Sequence, residues 1–192
     1  HLSIRRQRQM CIRDRFSPRY RFSNQFSLNY TIDYSLQNNN LGYVGSNPIS
    51  KEIFMGRRDR STYVNTIQSK FTINSDMNLN LSVRHYLSYA IYSQYYSLNN
   101  DGTLKKTLNF TENSDSIFNA WNLDLSYSWW FAPGSQISIL YRNNAALFEN
   151  EFQQGIGSNL RKVIDKNNLD NVFSISVRYF IDYNTLKTKK SS

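Results

Sequence analysis

Trp121-Asn122-Leu123-Asp124-Leu125-Ser126-Tyr127-Ser128-Trp129 alternates, one residue at a time, between apolar and polar side chains. Successive side chains of a strand point to opposite faces. The stretch therefore puts Trp121, Leu123, Leu125, Tyr127 and Trp129 on one side, and Asn122, Asp124, Ser126 and Ser128 on the other. Residues 22–36, 63–73, 79–95, 137–147 and 173–183 repeat the pattern. Asp33, Lys70, Arg84, Asp124, Arg142, Arg178 and Asp182 all fall on the polar face. Six such segments predict an all-β, antiparallel up-and-down meander.

Several of these strands are about twice the usual 5–6 residues, as tilted membrane strands must be. A charge facing lipid at mid-depth costs roughly 2–4 kcal/mol, so keeping charge off one face suits a wall with lipid on one side and water on the other. The connections also alternate. Residues 75–78 and 132–135 are tight turns, whereas 37–60, 97–117 and 149–171 are long and rich in Asn, Asp and Gly. Short turns on one rim and long loops on the other are the outer-membrane arrangement. Aromatic residues gather at strand ends, where amphipathic rings favour a membrane interface: Trp129, Trp130, Phe131, Tyr179, Phe180, Tyr183 and the group Tyr89, Tyr92, Tyr95 and Tyr96. These features predict a partial outer-membrane β-barrel of about six long strands, with its C-terminus periplasmic. The partners expected are outer-membrane lipid and lipopolysaccharide, the barrel-assembly machinery, and a missing N-terminal part of the same protein. A soluble β-sandwich carbohydrate-binding module is the alternative that the same alternation allows.

Composition agrees. The 192 residues are 40% hydrophobic and 15% aromatic, with 14 Tyr and 12 Phe against 7 Gly and 3 Pro. Mean hydropathy is −0.60, and no apolar run approaches the roughly 18 residues of a membrane helix. The net charge of +9 would ordinarily suggest nucleic acid as a partner. Much of it, however, lies in residues 1–14, where Arg5, Arg6, Arg8 and Arg13 face only Asp14, so no nucleic-acid partner is expected. Residues 3–14, Ser-Ile-Arg-Arg-Gln-Arg-Gln-Met-Cys-Ile-Arg-Asp, resemble translated sequencing-adaptor read-through. Residues 1–14 are accordingly expected to be non-native and disordered, and 15–192 to form the barrel segment. Cys11, the one cysteine, then supports no thiol chemistry.

No catalytic, cofactor or metal site emerges, and no enzymatic activity is expected. His85 has no partner for a dyad, triad or metal cluster, which predicts a structural role. Asn99-Asn100-Asp101-Gly102-Thr103 reads as a hairpin tip, because a calcium loop needs a later carboxylate that is missing. Glu112 with Asp115, or Glu149 with Glu151, would be a hydrolase pair only at a separation that sequence does not set. Arg57, Arg58 and Arg60, beside Asp59, form a basic patch at the base of a long loop. They are the candidate contact for lipopolysaccharide phosphates or another polyanion, against the plainer role of a solvated, partly self-paired loop base.

The stretch Phe54-Met55-Gly56-Arg57-Arg58-Asp59-Arg60-Ser61-Thr62, then Arg84-His85-Tyr86, Ser97-Leu98-Asn99-Asn100-Asp101-Gly102-Thr103-Leu104 and the ending around Arg178-Tyr179-Phe180-Ile181-Asp182-Tyr183, resembles the domain of unknown function 5916. Phe54-Met55-Gly56 departs slightly from the Phe-Gly usual there. The resemblance implies an outer-membrane protein of Gram-negative bacteria in which this region follows a family 9-like carbohydrate-binding domain. It implies an anchor or pore for a surface protein that handles glycans, and it carries no catalytic residues.

Overall fold

Alternating aromatic, β-branched and leucine side chains suit a pleated sheet with one polar face. The computed structural model describes residues 10–150 and 155–181, and most of these are strand. Strands β1 (Met10–Phe16) and β2 (Arg19–Arg21) are short. Strands β3 (Phe26–Ser46), β4 (Ile53–Thr72) and β5 (Met77–Leu98) run for 21, 20 and 22 residues. A short β6 (Leu104–Lys106) is followed by β7 (Ser116–Ala132), β8 (Ser135–Glu149) and β9 (Asp170–Arg178). Helix α1 (Ile156–Val163) and a single 3-10 turn (Lys166–Asn168) lie between β8 and β9.

All the strands form one antiparallel sheet in the order β1-β3-β4-β5-β7-β8-β9, with β2 beside β3 and β6 beside β5. Among the described residues no ladder joins β1 or β2 to β9, so the sheet is open. Among the described residues there is one sheet, and the two facing sheets of a sandwich are not formed. The register keeps like with like: Leu81 pairs with Leu125, Leu125 with Tyr141, and Tyr141 with Phe173. One residue along, Ser82 pairs with Asp124, and Asp124 with Arg142. A one-residue slip in any strand would put polar groups on the apolar face, which locks the register.

The six alternating segments correspond to β3, β4, β5, β7, β8 and β9. Three expectations need correction. Residues 10–14, expected to be disordered, lie in β1 and pair with β3 from Met10↔Asn38 to Asp14↔Tyr34; residues 1–9 lie outside the described residues. β1 and β2 both pair with β3, so β3 is not an edge of the sheet. The long loop 37–60 is mostly ladder, closed by the short turn Asn47–Glu52 through Asn47 N–H to Glu52 O at 2.9 Å. Two bulges absorb its irregular alternation: Asn39 sits at φ 56, and its N–H donates to Asp59 Oδ1 at 2.8 Å. Last, 149–171 contains α1, whose buried Asn159 and Val163 lie one turn apart on the face that packs on the sheet.

The tight turns behave as their residues dictate. Pro133-Gly134 closes the β7–β8 hairpin with Gly134 at φ 72, a conformation that favours glycine. The backbone there also runs close to Phe180, so that a Cβ on Gly134 would meet Phe180 Cβ at 2.9 Å. The β4–β5 turn closes through Ile73 N–H to Met77 O at 2.9 Å. Trp130 N–H donates to Asp76 O at 2.8 Å and ties the two turns together on one rim.

Candidate functional site

Three regions carry chemistry: the apolar face, a buried polar knot at its loop end, and the opposite polar face.

On the apolar face, rings collect in two rows. Near the short turns, Tyr20, Phe22, Phe26 and Phe71 follow one another at centroid distances of 4.6, 5.0 and 6.2 Å. Across the sheet on the same rim, Trp129, Phe131 and Tyr179 continue at 5.8 and 6.3 Å. Further up the strands, Tyr34, Tyr63 and Tyr89 make a second row at 4.8 and 6.4 Å. Phe71 and Tyr63 are eight residues apart on β4, which is about 26 Å along a strand. Aliphatic residues dominate the band between the rows, and the part on β9 is open to solvent: Ile175 is 59% and Val177 64% exposed.

At the upper row α1 lies against the apolar face. Leu87, Ile117 and Val163 are fully buried there. His85 Nε2 is 3.0 Å from Asn119 Oδ1, and Asn119 Nδ2 donates to Asn159 O at 2.7 Å. With its amide nitrogen so used, the Asn119 oxygen accepts from a protonated Nε2. Asn159 Nδ2 in turn donates to the Tyr89 hydroxyl at 3.0 Å. Lys162 pairs with Glu149 at 2.6 Å and fastens the helix to the end of β8. His85 is therefore a satisfied structural histidine, as its isolation in the sequence predicts.

The opposite face is polar and hollowed. A groove of about 640 Å³ spans five strands, with Arg19, Asn29, Lys70, Asn80 and Asp124 among its lining residues. Its continuation holds Arg84 and Arg142. The carboxylates that line it are occupied: Arg15 Nε donates to Asp33 Oδ1 at 2.7 Å, and Arg142 Nε to Asp124 Oδ1 at 2.6 Å.

The basic patch divides between environments. Residues 57–60 lie within β4 and not at a loop base. Arg58 Nη1 donates to the Tyr92 hydroxyl at 2.7 Å. Arg60 donates from Nε to Ser88 Oγ at 3.0 Å and from Nη2 to the Tyr86 hydroxyl at 3.2 Å. Arg84 lies 5.9 Å from the centre of the same Tyr86 ring. Arg58 and Arg60 thus join Arg84 and Lys70 on the polar face, while Arg57 stacks at 5.5 Å on Tyr96. Glycines make the room: the Arg58 guanidinium lies against Gly42 and the Tyr92 ring against Gly56. Asp59 holds the β3 bulge, its Oδ1 taken by the Asn39 N–H. Sequence reasoning missed this convergence by taking 37–60 for a loop. The signal was present, since residues 58, 60, 62, 66, 68 and 70 are all polar and share one parity.

The other candidates resolve simply. Asp101 Oδ1 accepts from Thr103 N–H at 2.9 Å at the tip of the β5–β6 hairpin, with Gly102 at φ 80. Those hydrogen bonds, the Thr103 hydroxyl's first and its N–H second, hold the Asp101 carboxyl below the ordinary carboxylate range. Asp115 Oδ1 accepts from Tyr92 N–H at 2.6 Å, and Glu149 is paired with Lys162. Glu151, Asp182 and Tyr183 lie outside the described residues. Among the described residues no three His, Cys, Asp or Glu gather, and no helix is long and apolar enough to cross a membrane.

One family, described as Domain of unknown function (DUF5916), matches residues 2–190. No curated protein and no solved structure matches the chain.

Proposed function

Since this chain belongs to the family of the domain of unknown function DUF5916, whose description assigns no activity, its function must come from its geometry, and we propose that it forms part of the wall of an outer-membrane β-barrel. The observation that carries the proposal is the pair of aromatic rows on the apolar face. Membrane barrels have an outward apolar band about 25 Å tall between aromatic girdles, and these rows are about 26 Å apart along the strand, less once the strands tilt. Each Ile, Val or Phe of the band gains on the order of 1.5–3 kcal/mol on leaving water, which lipid would supply. At the upper row α1 covers the apolar face, with Leu87, Ile117 and Val163 buried there, and the strands continue well past it. That is where a lipid band would end and a surface-exposed part begin.

In this setting the short turns face the periplasm, β9 runs down toward them, and the barrel-assembly machinery inserts the sheet. Arg57, above the upper row, is the residue of the basic patch placed to meet lipopolysaccharide phosphates. The chain acts as an anchor or a pore wall for a surface protein that handles glycans, without catalysis of its own.

The test uses a single-tryptophan variant of the chain that keeps Trp129. In detergent its fluorescence should be quenched by a brominated detergent, and in buffer alone the chain should pellet. A chain that stays monodisperse in buffer, with Trp129 unquenched, would sink the proposal.

A further inference from the structure

The carboxylates lining the polar groove are each held by an arginine, yet the same face carries further cations. Arg19, Arg21, Arg58, Arg60, Lys70 and Arg84 have no carboxylate partner among the described residues. Arg58 and Lys70 are twelve residues apart on β4, on the order of 40 Å along the strand. The positive charge is therefore drawn out into a track from the loop end to the short-turn end. A low-dielectric wall behind such a track concentrates anions along it.

The groups between the cations narrow the ligand. Asn29, Gln68, Asn80 and Ser82 line the groove with neutral donors and acceptors. Tyr86, Tyr92 and Phe118 add rings at the loop end, with Tyr86 and Phe118 edge to face at 5.7 Å. Arg58 Nε is buried with no hydrogen-bond partner among the described residues. Guanidinium and ammonium groups match carboxylate or sulfate, amides and hydroxyls match sugar hydroxyls, and rings match the apolar faces of sugar rings. We infer that the polar face is a binding track for a linear acidic oligosaccharide, one bearing carboxylate or sulfate groups. Single-stranded nucleic acid shares the charge. Its bases, however, would need stacking platforms along the whole track, and the rings in contact with the track's arginines, Tyr86 and Tyr92, both stand at its loop end.

The inference rests on the barrel proposal only in taking this face to be filled with water, and binding is measured without a membrane. The chain in detergent is titrated with dextran sulfate, uncharged dextran and a single-stranded DNA oligomer. Dextran sulfate should bind and dextran should not. The triple variant Arg58→Gln, Lys70→Gln, Arg84→Gln should weaken dextran sulfate binding at least about tenfold, some 1.4 kcal/mol. Lys51→Gln, Lys105→Gln, Lys106→Gln removes the same charge from exposed sites off the track and should leave binding within about twofold, as weak screened contacts do. Circular dichroism checks that both variants keep the sheet. Three results would overturn the inference: no binding by the unaltered chain, equal loss in the two variants, or tighter binding of DNA than of dextran sulfate. A chain that proves soluble would overturn the barrel wall and leave this result to stand by itself.

Discussion

Asn119, on β7, accepts a hydrogen bond from His85, on β5, at 3.0 Å and passes one on to the backbone of α1 at 2.7 Å. His85 is 4% and Asn119 2% exposed, so neither has water as a substitute partner.

Asn119→Ala should therefore cost about 1–3 kcal/mol, the penalty for a buried polar group left unpaired. It should also loosen α1, because the Asn159 carbonyl loses its donor. Urea unfolding in detergent together with limited proteolysis within 155–169 measures both effects. Unchanged cleavage in that segment would mean that α1 does not depend on this contact.

Neighbouring residues of β7 offer a second check. Leu125→Arg places a charge on the apolar face, whereas Ser126→Arg adds one to the groove. If lipid covers the apolar face, the first should destabilise the folded chain by roughly 2–4 kcal/mol more than the second. Equal costs, read from folding in lipid vesicles, would remove the distinction between the two faces.

Gly134→Ala tests the β7–β8 turn. The substitution forces a side chain to φ 72 and brings its Cβ against Phe180. A loss of about 1–2 kcal/mol follows from the left-handed conformation alone. Gly157→Ala, inside α1 with open space around it, should instead stabilise by a few tenths to about 1 kcal/mol. Denaturant midpoints of the two variants should move in opposite directions.

The hairpin tip should respond to acid. The Asp101 carboxyl is held below its ordinary value by Thr103, so the folded tip favours the charged form. Its contribution is complete above the unfolded carboxylate range, near pH 4, and is lost as pH falls through the lowered folded value. Carboxyl NMR shifts would follow this, and Thr103→Ala should move the titration back up. An unmoved titration would show that Thr103 is not the cause.

Asp124 and Arg142 illustrate what was legible in the amino-acid sequence. Their parity with Ser126 and Ser138 placed them on the polar face, and the register puts them opposite one another. The six alternating segments were legible for the same reason, since a period of two is a direct record of a two-faced sheet. The segment 37–60 was not legible in this way. Two bulges shift its parity partway through, and at bulges residues stop marking faces by simple alternation. The helix in 155–169 was obscured by its shortness, eight residues with little intrinsic helical preference, stabilised chiefly by packing on Leu87 and Ile117.

The sequence by itself determined the all-β class, the meander, the two opposed faces, the tight turns and the structural role of His85. Each of these depends on local spacing, which a chain carries whatever its neighbours do. Only the tertiary structure decided that Arg60 reaches across to Ser88 and Tyr86, that Asn159 reaches Tyr89 seventy residues away, and that Met10–Phe16 pairs with β3. Those relations follow from cross-strand register and from bulges that turn side chains over, and both are set between strands and not along them.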